Sequence, residues 1–402
     1  MTRSRYPELV RTVLTANRLL TPEQVVDKPV VVVEGGVIAG IDSRTHAALP
    51  AGRHVELPEA TLIPALFDVH IHGSGGHDVM EATDSALNHI GAFLARHGVG
   101  AYCATTVTAP LDSLLRSLNG LAKLIESPLD GARPVGIHLE GPFLSPHKRG
   151  AHLESQLLEP SIALFERMWQ ASEGNIRVMT IAPELDGAGE TIAHATRLGV
   201  RVSLGHSDAN ADAARRGVRA GAVTATHTFN AMRRFDHRDP GLLGEVLTND
   251  DLFAEIICDG LHVDPDVVRL FWKAKGLERA LLVTDAMAGT GMPDGTYWLG
   301  ELEVRVKNGR CIVGEDTLAG STLTLDRALC NFAEFAGAGF AQAVTLATRN
   351  PARMTGLDAE IGTLAPGRSA DIAVLSAKNE VIETFLRGEP QLVPSTQGYF
   401  NG

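Results

Sequence analysis

Histidine and carboxylate side chains recur in this chain at one kind of place, directly after a short apolar run. Asp68-Val69-His70-Ile71-His72-Gly73 closes the first run and His138-Leu139-Glu140-Gly141-Pro142 the third. Gly205-His206-Ser207, Thr226-His227-Thr228, Asp259-Gly260-Leu261-His262 and Thr284-Asp285-Ala286 follow the fifth to the eighth. Imidazole and carboxylate are ligands that suit zinc and related divalent ions. His70 and His72 are two positions apart, and side chains on a strand repeat their direction every second residue, so both can reach one ion. Each group alone has an ordinary explanation. An HxH triplet arises by chance, His206 or His227 would serve as a hydrogen-bonded histidine, Glu140 as an ion-pair partner, and Asp285 as a helix N-cap. Together, His70, His72, Glu140, His206, His227 and Asp285 point to a metal centre.

Eight apolar runs with strand character would have to carry these groups: Leu62–Ile71, Val99–Val107, Val135–Leu139, Val178–Ile181, Val202–Leu204, Val223–Thr226, Ala254–Cys258 and Leu281–Val283. Segments with helical spacing lie between most of them, among them Ser85–Arg96, Leu111–Leu124, Ser161–Ala171, Gly187–Leu198 and Ala209–Ala220. Alternating β and α units predict parallel strands with crossover helices, and eight of them predict an α/β fold closed as a (β/α)8 TIM-like barrel over residues 62–354. In that fold the C-terminal strand ends share one face, where active sites form. Thr290–Cys311 reads as a β-hairpin insertion near 290–315, and the connection from Ala231 to Asp251 is long and basic in its first half.

Both ends of the chain are β-rich. Val10–Leu14, Pro29–Val33, Gly36–Asp42 and His54–Glu56 at one end, and Ala370–Leu375 and Val381–Leu386 at the other, read as strands, with Gly362–Gly367 as a turn. Residues 1–61 and 355–402 are expected to form one small β-sandwich domain beside the barrel.

With 402 residues the chain exceeds one ordinary core. Its 44% hydrophobic and 21% charged residues fit a soluble globular protein. A formal net charge of −12 argues against nucleic acid or an anionic membrane as partner, so an anionic substrate must meet a local basic cluster. No apolar run reaches the ~20 residues of a membrane span. The segment MTRSRYPELVRTVL lacks the apolar stretch and small-residue cleavage site of a secretory signal. Four distant cysteines without a CxxC pair suit reduced thiols and a cytoplasmic location.

The HxH after the first strand, the histidines after strands five and six, and the aspartate after strand eight resemble the amidohydrolase superfamily. The turn Gly362-Thr-Leu-Ala-Pro-Gly367-Arg-Ser-Ala-Asp371 adds to that resemblance. Within the superfamily, HLEGPF from His138 to Phe143 resembles the N-acetylglucosamine-6-phosphate deacetylase family, since a glutamate stands where many relatives carry a carbamylated lysine. His147-Lys-Arg-Gly-Ala-His152, Thr226-His-Thr-Phe-Asn-Ala-Met232, Arg238-Asp-Pro-Gly241, Asp259-Gly260-x-His262 and Leu318-Ala-Gly-Ser321 strengthen it.

The resemblance implies roles. Glu140, His206 and His227 would hold the main divalent ion, and His70 and His72 would add a second position bridged by Glu140, giving one or two ions per subunit. Zinc is expected, with iron, manganese, cobalt or nickel as alternatives. Asp285 would act as general base and acid, and His152 would polarise the substrate carbonyl. Asn230, Ala231, Arg238 and His262, with Ala151 and Leu318, would bind a sugar phosphate, with Arg238 supplied across a homodimer. Arg233 and Arg234 stand where many relatives have two prolines and read as solvated loop charges. The expected reaction is deacetylation of N-acetyl-D-glucosamine 6-phosphate in amino-sugar catabolism. Its alternatives are the galactosamine epimer, another amidohydrolase reaction, or a non-catalytic barrel, which the intact ligand set disfavours.

Overall fold

A computed structural model describes residues 11–44, 49–391 and 400–401. Val10, the first residue of the expected N-terminal strand, lies outside them, as does most of the segment read for a secretory signal. Eight parallel strands form the central sheet: Leu66–Ile71, Val99–Thr106, Arg133–Glu140, Ile176–Ile181, Arg201–Leu204, Ala222–Ala225, Phe253–Ile257 and Ala280–Val283. They neighbour one another in chain order. The circle closes where Ile71 of the first strand bridges Ala286 just past the eighth, with the Asp285 N–H donating to the His70 carbonyl at 2.9 Å. This is the expected (β/α)8 barrel. Its strands are buried on both faces, which is why Val99–Thr106 shows no polar alternation and is buried at every residue.

The flanking helices start on side-chain caps. Thr83, Ser161, Asn210 and Asp264 each accept a main-chain N–H in the first turn of the helix that follows. The long connection after the sixth strand holds a helix, Gly241–Thr248, that its basic first half did not suggest. The expected hairpin insertion is larger than a hairpin. Gly295–Leu299, Leu302–Lys307, Arg310–Val313 and Thr317–Leu318 make a four-stranded antiparallel sheet with its own apolar core around Val304, Val306 and Cys311.

Apart from a two-stranded ribbon, Gly73–Ser74 with His77–Asp78, the remaining strands form one nine-stranded mixed sheet drawn from both ends of the chain. Arg53–Pro64 lies at its centre, parallel to Arg11–Leu20 on one side and antiparallel to Ile372–Leu375 on the other. The sheet curls so that Val37, on its last strand, bridges Ser369 just ahead of Ile372–Leu375, and a core of Leu14, Val31, Ile38, Leu62, Ile372 and Phe385 is enclosed. The expected sandwich is thus one continuous sheet folded on itself. The first apolar run, Leu62–Ile71, divides between two sheets. Residues up to Pro64 pair with Ile372–Leu375, and the barrel strand starts at Leu66. Both halves are buried, so hydrophobicity alone could not show the break. Proline, which offers no N–H to a ladder, marks it.

Among the described residues, no helix is long and apolar enough to cross a membrane.

Candidate active site

The last residue of the third barrel strand, Glu140, is only 3% exposed and sits at the middle of the C-terminal rim. Its Oε1 lies 3.4 Å from His70 Nε2, 3.3 Å from His206 Nε2 and 3.3 Å from His227 Nε2. Its Oε2 lies 3.2 Å from His72 Nε2 and 3.6 Å from His152 Nε2. Asp285 completes the group, with Oδ1 3.1 Å from His72 Nε2 and 3.5 Å from His70 Nε2. Two clusters of potential ligands therefore share one carboxylate: His70, His72 and Glu140, and Glu140, His152 and His206. His227 belongs with the second, 2.9 Å from His206 Nε2.

Local backbone geometry explains how three of these side chains are aimed. The fifth, sixth and eighth strands end at Leu204, Ala225 and Val283. Two residues beyond each end stand His206, His227 and Asp285, with φ of 47°, 26° and 51°. Left-handed backbone is rare outside glycine and costs on the order of 1–3 kcal/mol per residue, so it persists only where the surroundings impose it. Here it turns each chain sharply and returns the side chain over the barrel axis. Gly205 permits the close approach at the fifth strand, since a Cβ there would lie 2.6 Å from Thr226 Cβ.

The outer ring nitrogens set the chemistry of the inner ones. His72 Nδ1 lies 3.0 Å from the Thr105 carbonyl oxygen and His206 Nδ1 3.0 Å from that of Lys148. A carbonyl only accepts, so Nδ1 carries a proton and Nε2 is the nitrogen turned to the carboxylates. His70 Nδ1 faces the Glu255 carboxylate at 3.0 Å, with the same result. Imidazole nitrogens therefore confront carboxylate oxygens, an arrangement that requires positive charge between them, either a proton on Nε2 or a bound cation. Burial opposes protonation of His72, but hydrogen bonds to Asp285 and Glu140 and their charges outweigh it and hold its pKa up at about 9. Burial likewise opposes ionisation of Asp285, and the charge on His70 with the hydrogen bond to His72 overcomes it, holding the carboxyl well below its usual range.

A divalent ion fits this demand. His70 Nε2 and Glu140 Oε1 are buried without a hydrogen-bond partner. Neighbouring ligands of a tetrahedral ion with ~2.0–2.1 Å bonds stand about 3.3 Å apart, close to the separations around Glu140.

Above the cluster opens a cavity of about 230 Å³, lined by His72, Glu140, His152, His206, His227 and Asp285, with Gly150, Ala151, Asn230, Ala231, His262 and Leu318. Gly150 keeps φ +58°, and a Cβ there would press on the His206 ring at 3.2 Å. His152 Nδ1 is held by the Thr108 hydroxyl at 3.1 Å, leaving Nε2 toward the cavity. His262 Nδ1 meets Asp259 at 2.7 Å. Burial lowers the pKa of His262, but the Asp259 bond and charge raise it on balance. His70 lies beneath the cavity with no exposed surface.

Arg238 is the expected site residue that the single chain does not bring in. It is exposed and absent from the cavity wall, and its main-chain N–H donates to Asp236. Arg233 is less free than a solvated charge, pairing with Asp239 at 2.9 Å and reaching the Asp208 carbonyl, while Arg234 is exposed.

Several groups in contact with the site were not singled out from the sequence. Asp68, fully buried, accepts the Thr284 hydroxyl at 2.5 Å and the His70 N–H at 3.3 Å. Glu255 stands behind His70. Each is the one carboxylate of its buried strand, which was the available signal.

A closed barrel whose strand ends deliver four histidines, a bridging glutamate and an aspartate to one rim defines the amidohydrolase class. The Amidohydrolase family matches residues 61–390, and the chain belongs to it. Within it the chain sits among the N-acetylglucosamine-6-phosphate deacetylases. It is 37% identical over 366 residues to such an enzyme of Vibrio furnissii, covering 90% of both chains. It is also 38% identical over 377 residues to N-acetylgalactosamine-6-phosphate deacetylase of Escherichia coli O157:H7, covering 94% of this chain and 98% of that protein. The structure superposes with a TM-score of 0.90 on a mutant of N-acetyl-D-glucosamine-6-phosphate deacetylase from Mycobacterium smegmatis in complex with N-acetyl-D-glucosamine-6-phosphate. The two share 36% identity over 96% of this chain and 100% of that one.

Proposed function

We propose that the protein hydrolyses N-acetyl-D-glucosamine 6-phosphate to D-glucosamine 6-phosphate and acetate, as a step of amino-sugar catabolism. The observation that carries this reading is the Glu140-centred cluster beneath the cavity, on a fold shared with a relative solved with that sugar phosphate. Glu140, His206 and His227 are assigned to the main divalent ion, and His70 and His72 with Glu140 to a second. Zinc is the first choice, with iron, manganese, cobalt or nickel able to use the same ligands. Such an ion would supply positive charge that polarises a carbonyl and favours loss of a proton from water.

The side chains of the chain divide the remaining work. Asp285, held ionised, accepts the proton of the attacking water and returns it to the leaving amine. His152 donates from Nε2 toward the acetyl oxygen, where negative charge develops in the tetrahedral intermediate. His262, Asn230 and Ala231 hold the sugar, with Ala151 and Leu318 shaping the wall. Holding the sugar at a distance from the reacting amide also fixes the acetyl group for attack. Arg238 is directed outward, which supports a homodimer in which each subunit lends this cation to the other's phosphate site. A phosphorylated sugar as substrate supports a cytoplasmic setting.

Acetate release from N-acetylglucosamine 6-phosphate, its galactosamine epimer and unphosphorylated N-acetylglucosamine tests the proposal. Preference for the first is expected. Preference for the epimer, the substrate named for the E. coli O157:H7 relative, would change the substrate and keep the chemistry, and no release from metal-loaded protein would refute it.

A further inference from the structure

We propose that Glu255 is a positioning residue that ties the two candidate ion positions together. The proposal rests on the reading of the cluster as a metal centre. Glu255 occupies the middle of the seventh barrel strand, Phe253–Ile257, and has no exposed surface. A single oxygen, Oε2, serves two partners. It lies 3.0 Å from His70 Nδ1 and accepts the main-chain N–H of His227 at 3.1 Å. The Glu255 carbonyl adds a third contact by accepting the Thr228 N–H at 2.8 Å.

These partners belong to different ion positions. His70 stands in the group with His72 and Glu140, whereas His227 faces His206, and both rings approach the same Glu140 oxygen, Oε1. Glu255 thus orients a ring at one position and a strained main chain, with φ 26°, at the other. A carboxylate behind Nδ1 fixes the tautomer, orients the ring and makes Nε2 a stronger ligand. The arrangement is unfavourable for folding alone. Oε1 of Glu255 is buried without a hydrogen-bond partner, and an apolar side chain would avoid that loss. The benefit lies with the ligands.

The test uses Glu255→Gln, which preserves size and removes charge, together with His70→Asn and the double variant. Each full-length protein is stripped of metal, checked for folding by circular dichroism and titrated with cobalt(II), with bound metal counted after desalting. The parent is expected to bind two equivalents. In Glu255→Gln the second should weaken by about 10–100-fold while the first changes only a few-fold. The double variant should bind like His70→Asn alone, because Glu255 acts at the second position through that ring. Unchanged affinity for the second equivalent in Glu255→Gln overturns the proposal, as does a double variant that loses the two effects independently. Should Glu255→Gln fail to fold, Glu255→Asp replaces it. It keeps the charge but falls one methylene short of His70, and an unweakened second equivalent is again decisive against. A parent that binds one ion overturns the proposal together with the two-ion reading, and a parent that binds none overturns the metal reading itself.

Discussion

Replacing Thr284 by valine removes one hydroxyl from the seam where the first barrel strand meets the eighth. That hydroxyl donates to Asp68 Oδ2 at 2.5 Å and accepts the Ala286 N–H at 3.1 Å. Thr284 is 1% exposed and Asp68 0%, so water cannot take over either bond. A hydrogen bond to a charged group contributes about 1.5–3 kcal/mol, and an orphaned buried N–H costs about 1–3 kcal/mol. The expected loss is therefore about 3–5 kcal/mol, or ~6–10 °C in the unfolding midpoint at about 2 °C per kcal/mol for a chain of this size. The loss should depend on pH. Burial pushes the Asp68 carboxyl up to about 7, against the pull of the Thr284 hydroxyl and the His70 and Thr284 N–H groups. A folded pKa above the unfolded value means that the stabilising contribution is full below the unfolded pKa and is lost as pH rises through about 7. Without the hydroxyl the folded pKa rises further, so the deficit of the variant should be smaller at about pH 5.5 than at about pH 8. Thermal unfolding at both pH values, beside Thr284→Ser, measures this. Serine should restore all but ~1 kcal/mol. Equal losses for valine and serine, or a valine deficit that shrinks as pH rises, would refute the hydrogen-bond account of the seam.

Asp285→Asn should fold and keep its metal content while kcat falls by about 10²–10⁴; most of the activity surviving would remove Asp285 from proton transfer. Arg238→Ala should raise KM for the phosphorylated sugar at least ~10-fold more than for an unphosphorylated analogue, and equal effects on both would exclude a phosphate contact. Asp259→Asn takes away the group that holds the His262 pKa up, so His262 should lose its proton at lower pH. KM for the phosphorylated substrate should then be about 3–10-fold higher than in the parent at roughly pH 7, and the rise in KM that the parent shows with pH should move to lower pH. Parallel KM profiles would show that Asp259 does not tune His262.

Much of the fold was legible because parallel barrel strands are buried on both faces and print as unbroken apolar runs. Val99–Val107 and Val178–Ile181 match their strands almost residue for residue. The side chains brought together at the rim were legible for a related reason, since polar groups directly after such runs must sit at strand ends. Two kinds of information were hidden. Backbone handedness was one: nothing in histidine or aspartate announces the left-handed turns at His206, His227 and Asp285, which the neighbouring strands impose. Pairing at a distance was the other. Asp68 and Thr284 are 216 positions apart, and Glu255 lies 185 positions from His70, so their partnership exists only after the barrel closes. Arg238 shows a further limit, because its motif suggested a phosphate contact while its exposed side chain stands outside the cavity wall.

The curled terminal sheet has a consequence for how the protein is made. Arg53–Pro64 has its parallel partner, Arg11–Leu20, early in synthesis, but its other edge waits for Ile372–Leu375, about 300 residues later. At ~5–20 residues per second the ribosome needs about 15–60 s to deliver them. Throughout that interval a strand carrying Val55, Leu57, Leu62 and Ile63 presents an unpaired, apolar edge of the kind that recruits other chains. Crowded, fast expression should therefore favour aggregates nucleated at this strand, and a nascent chain stalled before residue 372 should depend on chaperones that one released at full length no longer needs.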